Sequence, residues 1–425
     1  MVETGVCRPS AGTRSRLADP AAAPRRPCRP TVGGFSDAEK TCSKGLGTQR
    51  AASATITLLP ADGVLARHNV YMGVIFGQYC HRLMGLEDKE RAPRNRTLTL
   101  TEAERRRLSA TLLRPPVPGE PSALADRVVC GDSVLLCGAL PRRFVDLLIL
   151  DPPYNLTKEF GASSFRQMSL AEYEEWFEGW LVEMLPLLKP TASLYVCGDW
   201  RSSSALQRVL ERRAIVRNRI TWEREKGRGA KTNWKNASED IWFATISDDH
   251  YFNVEAVKLK RRVVAPYRID GQPKDWEETA QGDFRLTHPS NLWTDLTVPF
   301  WSMPENTDHP TQKPEKLMAK LILASSRDGD FVFDPFLGSG TTAVVARKLG
   351  RRFLGIEIDE DYACLATKRL ELAAFDGSIQ GYAGGLFWER NTLSLQEKAT
   401  KPRSESQPSL FADIVPRRSF KAGVR

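Results

Sequence analysis

The 425 residues carry 61 Lys and Arg against 52 Asp and Glu, a net charge of +9, with 41% hydrophobic residues. That is apolar content for a globular core, in a chain long enough for two domains or one large domain with insertions, and the positive balance favours a polyanionic partner such as nucleic acid. Eight scattered cysteines with no C-x-x-C pair argue against a zinc site or a disulfide framework, and the best apolar run, "VYMGVIFGQYC" (70–80), is too short to span a membrane.

Residues 1–95 are rich in Arg, Pro, Ala and Ser without helical or strand period, and are expected to form a disordered leader. Regular structure is expected from "TLTEAERRRLSATLL" onward. There Thr101 and Glu104 have the spacing of a capping box at the start of a helix running to about Leu113. Short apolar strands follow at 127–132, 145–151, 192–199, 331–336 and 352–359. Helical stretches fall at 169–188, 202–213, 314–326 and 341–349. Near-continuous apolar strands alternating with helices imply an α/β chain with a mostly parallel sheet covered on both faces. Such sheets bind ligands at the carboxyl ends of their strands, and several of these strands end in an acid, as "RVVCGD" does at Asp132.

The strand "LLILDPPYNL" (147–156) ends in a stiff acidic corner. Asp151 offers a carboxylate to an amino group. Pro152 and Pro153 rigidify the turn and leave carbonyls with no competing N–H, and Tyr154 offers a flat face for a heterocycle. An amino group held at both hydrogens has its lone pair drawn out of the ring and made nucleophilic. A strand-ending turn with a buried aromatic is the structural alternative for this motif taken alone.

Between 224 and 300 the strand–helix rhythm breaks. "EREKGRGAKTNWKN" holds Arg224, Lys226, Arg228, Lys231 and Lys235 with Trp234 and Asn236, and "VKLKRRVVAPYR" (257–268) adds a second basic cluster. The segment is expected to be an insert that touches DNA phosphates and base edges. "HPTQKP" (309–314) follows. In "FVFDPFLGSGTTAVVARKLG" a strand ends at Asp334, then Gly338, Ser339 and Gly340 turn into a helix beginning near Thr341. Glycines let the backbone approach a ligand, and the helix start offers free N–H groups. The next strand ends at Glu357, placed for a ribose diol. No Lys follows the glycines, so this is not a P-loop, and Ala343 stands where a G-x-G-x-x-G fingerprint would end. After 376 the chain is polar and expected to be a flexible tail.

"DPPYNL", "HPTQKP" and "DPFLGSGTT" together resemble the amino-methylating DNA methyltransferases, and their order, with DPPY ahead of the glycine motif and a basic insert between, is similar to the β group. Many of that group belong to bacterial restriction–modification systems. The resemblance covers about residues 97–375 and implies a Rossmann-like methyltransferase, doubly wound, with an extra antiparallel strand and an inserted target recognition region at 224–300. It implies S-adenosylmethionine held by Asp132 at its adenine, Glu357 at its ribose, and Asp334, Phe336, Gly338, Ser339, Gly340 and Thr341 at its methionine end. Thr311, Gln312 and Lys313 would close over the methionine. Asp151, Pro152, Pro153 and Tyr154 would act on a base flipped out of double-stranded DNA. "ITWERE" would help to line the target pocket. The leading Asp favours adenine N6, with cytosine N4 the alternative. Protein-glutamine enzymes carry Asn in place of Asp151 and lack a basic insert. RNA methylation and an inactive DNA-binding protein are further rivals. The resemblance also implies a bacterial cytoplasmic, nucleoid-associated enzyme, in some relatives with a cognate endonuclease or a dimer partner. Gln407, Leu410 and Phe411 resemble a short sliding-clamp docking peptide.

Overall fold

The computed structural model describes residues 91–160, 163–224, 231–264, 266–279, 282–392 and 395–396. The 1–90 part of the expected leader, Lys226, Arg228, and the docking peptide at Gln407, Leu410 and Phe411 lie outside them.

Eight strands form the central sheet: β1 (Arg127–Cys130), β2 (Val145–Leu150), β3 (Leu188–Gly198), β4 (Ile215–Glu223), β5 (Ser238–Thr245), β6 (Leu292–Trp293), β7 (Phe331–Asp334) and β8 (Arg352–Glu357). Their spatial order is β1-β8-β7-β2-β3-β5-β4-β6. The first five run parallel. β5 is reversed against both β3 and β4, and β6 returns parallel to β4. This is the doubly wound, mostly parallel sheet that the sequence leads one to expect, with one antiparallel strand. β5 lies within the stretch read as an insert. Its run "DIWFAT" is buried from end to end because it fills an interior position of the sheet.

Period-two alternation sends the side chains of each strand to two apolar layers. Leu147, Ile149 and Val332 pack with helices α1 (Glu102–Ser109), α5 (Glu315–Ser325), α6 (Thr341–Lys348) and α7 (Glu360–Ala373). Leu148, Leu150 and Phe333 pack with α3 (Leu170–Met184) and α4 (Ser203–Arg213) on the other face. A short helix α2 (Ser133–Cys137) follows β1. The expected capping box at Thr101 is present, and Ser169 with Glu172 makes a second one that starts α3.

A second sheet is assembled from Glu277–Thr279, Gly282–Thr287 and Leu259–Arg262 of the insert, together with Leu386–Trp388 and Tyr382–Ala383. The last two were expected to lie in a flexible tail. The run "GLFW" explains the difference, because Phe387 and Trp388 are buried and Leu386–Trp388 pairs in parallel with Leu259–Arg262. The helix α5 is buried all round, and its Lys316 and Lys320 meet Asp295 at 2.7 and 2.6 Å. Among the described residues no helix is long and apolar enough to cross a membrane.

If residues 382–388 belong to the folded domain, Phe387→Ala lowers unfolding free energy by about 3–5 kcal/mol, the usual range for a core aromatic. Urea denaturation measures this, and a loss below about 1 kcal/mol would return the segment to the tail.

Candidate active site

Four acids stand at the carboxyl ends of four adjacent strands. β1 leads to Asp132, β8 ends at Glu357, β7 ends at Asp334 and β2 leads to Asp151. Because the strands neighbour one another in that order, the carboxylates form a row along one rim of the sheet. Asp132 caps α2 through the Val134 amide at 2.9 Å. Glu357 accepts the Gly338 amide at 2.7 Å and the Asp359 amide at 2.9 Å. Asp334 accepts the Phe336 amide at 3.0 Å. Burial pushes both Glu357 and Asp334 up to about 7, against these hydrogen bonds.

The glycine turn is shaped by steric need. Gly338 and Gly340 have φ of +54° and +86°, in the left-handed region. A Cβ on Gly340 would also stand 2.6 Å from that of Ala366 on α7, so the glycine seats the turn on that helix. Arg369, also on α7, braces the turn from below. Its buried guanidinium donates to the Ser339 carbonyl at 2.9 Å and to Thr341 Oγ1 at 3.0 Å, and pairs with Glu315 at 2.9 Å. Phe336 packs edge-on against Trp180, ring centres 5.0 Å apart.

At the far end of the row the corner after β2 is tightly engaged. Lys313 donates to both Asp151 oxygens, at 2.6 and 2.5 Å. Its ammonium lies 5.2 Å from the Tyr154 ring centre and 3.6 Å from Glu239. The Tyr154 hydroxyl donates to Glu239 at 2.9 Å, and Arg224 donates to the other Glu239 oxygen at 2.5 Å. Burial raises the Asp151 carboxyl, with Lys313 opposing it. Burial works to lower Lys313, but Asp151 and then Glu239 more than offset it and hold the ammonium above its usual range. Pro153 gives its carbonyl to the Tyr173 hydroxyl at 3.1 Å, which braces the turn. Pro152 is buried. Asn155 pins the following loop by exchanging two 2.8 Å bonds with Met168.

The sequence groups Lys313 with the cofactor-closing residues; the structure sets it on Asp151. Thr311 donates its amide to His309 at 3.4 Å. Gln312 spends its side chain on the Thr307 amide and hydroxyl and the Glu305 carbonyl, at 2.6–2.8 Å, which folds the "HPTQKP" loop. His309 lies under Gly338 and against Tyr362; burial pushes its imidazole down to about 3. Arg224 turns inward to Glu239. Lys231, Trp234, Lys235 and Asn236 are exposed on the segment leading into β5. Sequence reasoning missed Glu239 and Arg369. Glu239 and Asp240 stand directly ahead of the apolar run "IWFA" (241–244), an acid-then-apolar order that the reversed "LLILD" could have flagged; Arg369 sits in an ordinary helical pattern with no signal.

Residues 145–368, more than half of the chain, match the family described as DNA methylase. The chain belongs to that family. Among its relatives, the type II methyltransferase M.HpaI of Haemophilus parainfluenzae is 31% identical over 59% of this chain and 76% of that protein. The DNA adenine methyltransferase YhdJ of Escherichia coli is 32% identical over 59% of this chain and 84% of that protein. A solved structure, the M1.HpyAVI–SAM complex, is 23% identical, covering 57% of this chain and 98% of that one with a TM-score of 0.40.

The raised acids give this DNA methylase a defined pH signature. A carboxyl near 7 in the fold and near 3.9 in the unfolded chain takes up a proton on folding between those values. Its contribution is full below about pH 4 and is lost as pH rises to about 7. The stability difference between the wild type and Asp334→Asn therefore shifts in favour of the variant across pH 4–7. Denaturant unfolding at pH 5, 6, 7 and 8 checks it, and a pH-independent difference would contradict the burial of this carboxyl.

Proposed function

We propose that the chain transfers a methyl group from S-adenosylmethionine to the N6 amino group of adenine, within one sequence context of double-stranded DNA. The observation that carries this reading is the row of acids. Neighbouring strands stand about 4.8 Å apart, so four strand ends span about 14 Å, the reach of an extended nucleoside joined to an amino acid. The donor set fits that group. Asp132 would hold the adenine end, Glu357 the ribose hydroxyls, and Asp334 with the Phe336–Thr341 turn the methionine end. Thr311, Gln312 and Lys313 belong to the loop beside that end, Gln312 by shaping it. When bound, the cofactor supplies an activated methyl group.

The chain's own residues then prepare the acceptor. Asp151 accepts one N–H of the target amino group and the Pro152 carbonyl accepts the other. This favours a tetrahedral nitrogen with its lone pair directed out of the ring. Pro153 stiffens the turn and the Tyr154 ring stacks on the base after it leaves the duplex. Positioning and electrostatics supply most of the acceleration. Lys231, Trp234, Lys235 and Asn236, with Lys226 and Arg228, contact DNA, so the 224–300 segment carries target recognition around the buried β5. The name of the Escherichia coli relative supports adenine as the base. The proposal extends to a bacterial cytoplasmic, nucleoid-associated enzyme paired with a restriction endonuclease, to a homodimer, and to clamp docking through Gln407, Leu410 and Phe411.

Incubation with labelled S-adenosylmethionine and unmodified genomic DNA, followed by digestion to nucleosides, yields labelled N6-methyladenine. Labelled N4-methylcytosine would move the acceptor to cytosine, and no labelled nucleoside would overturn the reading. Asp151→Ala loses transfer by at least about 100-fold while cofactor binding by calorimetry stays within about threefold.

A further inference from the structure

The corner after β2 contains a residue that the motifs do not include. Glu239 is buried, is the second residue of the one reversed strand of the central sheet, and divides its two oxygens between different partners. One oxygen takes Arg224 at 2.5 Å; the other takes the Tyr154 hydroxyl at 2.9 Å and lies 3.6 Å from the Lys313 ammonium. Lys313 in turn spans both oxygens of Asp151. Two carboxylates, the Lys313 ammonium and a guanidinium are thus gathered at one strand end, with the Lys158 ammonium also near enough to interact with each of them. Burying charge is costly unless every partner is in place, and an apolar residue at 239 beside a phenylalanine at 154 would avoid that cost. The arrangement makes sense if the direction of the Tyr154 ring matters. A stacking ring without a hydroxyl anchor can tilt about its side-chain bonds; one tied to a buried carboxylate on a central strand cannot.

We propose that Glu239 is a positioning residue for methyl acceptance: it fixes the Tyr154 ring through its hydroxyl and holds Lys313 between itself and Asp151. This rests on the reading of the chain as an amino-methylating enzyme. Glu239 does not touch the base. It acts through Tyr154 and Lys313, with Arg224 as its counter-charge, so the start of the basic segment is tied to the catalytic corner. Its removal should therefore slow the step after both ligands are bound and leave binding of the cofactor alone intact.

The test is a cycle of Glu239→Ala, Glu239→Gln, Tyr154→Phe and the Tyr154→Phe/Glu239→Ala double variant, in the full chain. Turnover is read by methylated-nucleoside formation, cofactor affinity by calorimetry, and the environment of the target base by the fluorescence of 2-aminopurine placed at the methylated position. Glu239→Ala is expected to lower kcat by at least about tenfold with cofactor Kd within about twofold. Glu239→Gln keeps an acceptor for Tyr154 and should recover part of kcat. The double variant should be no worse than Glu239→Ala, because both changes cut the same link. The 2-aminopurine emission of the bound complex should change in Glu239→Ala. Unchanged kcat, multiplicative loss in the double variant, or weakened cofactor binding that accounts for the whole defect would each overturn the proposal. If Glu239→Ala does not fold, Glu239→Gln against Tyr154→Phe carries the same test: kcat within twofold of wild type in both overturns it. Absence of any methylated nucleoside from the wild type would instead sink the underlying functional reading, which separates the two failures.

Discussion

The contact on which the corner depends is the Lys313 ammonium bridging both oxygens of Asp151 inside the rim of the sheet. A carboxylate at the end of a buried strand tends to take up a proton, and a protonated acid is a poor acceptor for an amino group. Lys313 opposes that tendency at close range. Lys313 is buried and Asp151 largely so, and water therefore weakens their attraction less than it would at the surface. Removing either partner leaves an uncompensated buried charge, a loss of about 3–5 kcal/mol in comparable settings. The "HPTQKP" loop is folded by Gln312, and its lysine reaches Asp151 at the end of the row.

The rest of the rim follows the same logic of enclosed charge held by oriented donors. Glu357 and Asp334 are buried acids supported by backbone amides, and both remain easily protonated at neutral pH. The glycine turn between them exists because Gly340 takes a left-handed conformation against Ala366, where no side chain fits. Arg369 supplies a buried positive charge under that turn. Along the row, Lys313 is the cation set directly on an acid, while Asp132, Glu357 and Asp334 are held by backbone amides.

Much of this was legible in the amino-acid order. The apolar runs at 145–150, 331–334 and 352–357 could be buried only in a parallel sheet, and the acids that end them mark its working edge. The Thr101–Glu104 spacing marked a helix start that the structure realises in full. Other parts were hidden for physical reasons. The basic composition of 224–300 masked the apolar strand Ser238–Thr245, because charge dominates a window in which only a few consecutive residues are buried. The run around Phe387 looked like part of a polar tail, since its local hairpin partner Tyr382–Ala383 is only two residues long and its other partner, Leu259–Arg262, lies more than a hundred residues upstream, where pairing leaves no local period. Arg224 reads as a phosphate contact in sequence, yet its partner Glu239 turns it inward. Glu239 itself gains meaning only when Tyr154 and Lys313 are brought to it.

The most direct test of the central interaction is the pH dependence of single-turnover methylation by the wild type and by Lys313→Met. If Lys313 keeps Asp151 available as an acceptor, its loss raises the carboxyl further. The acid limb of the rate profile then moves upward by at least about one pH unit. An acid limb that keeps its position, with only the overall rate reduced, would contradict the account.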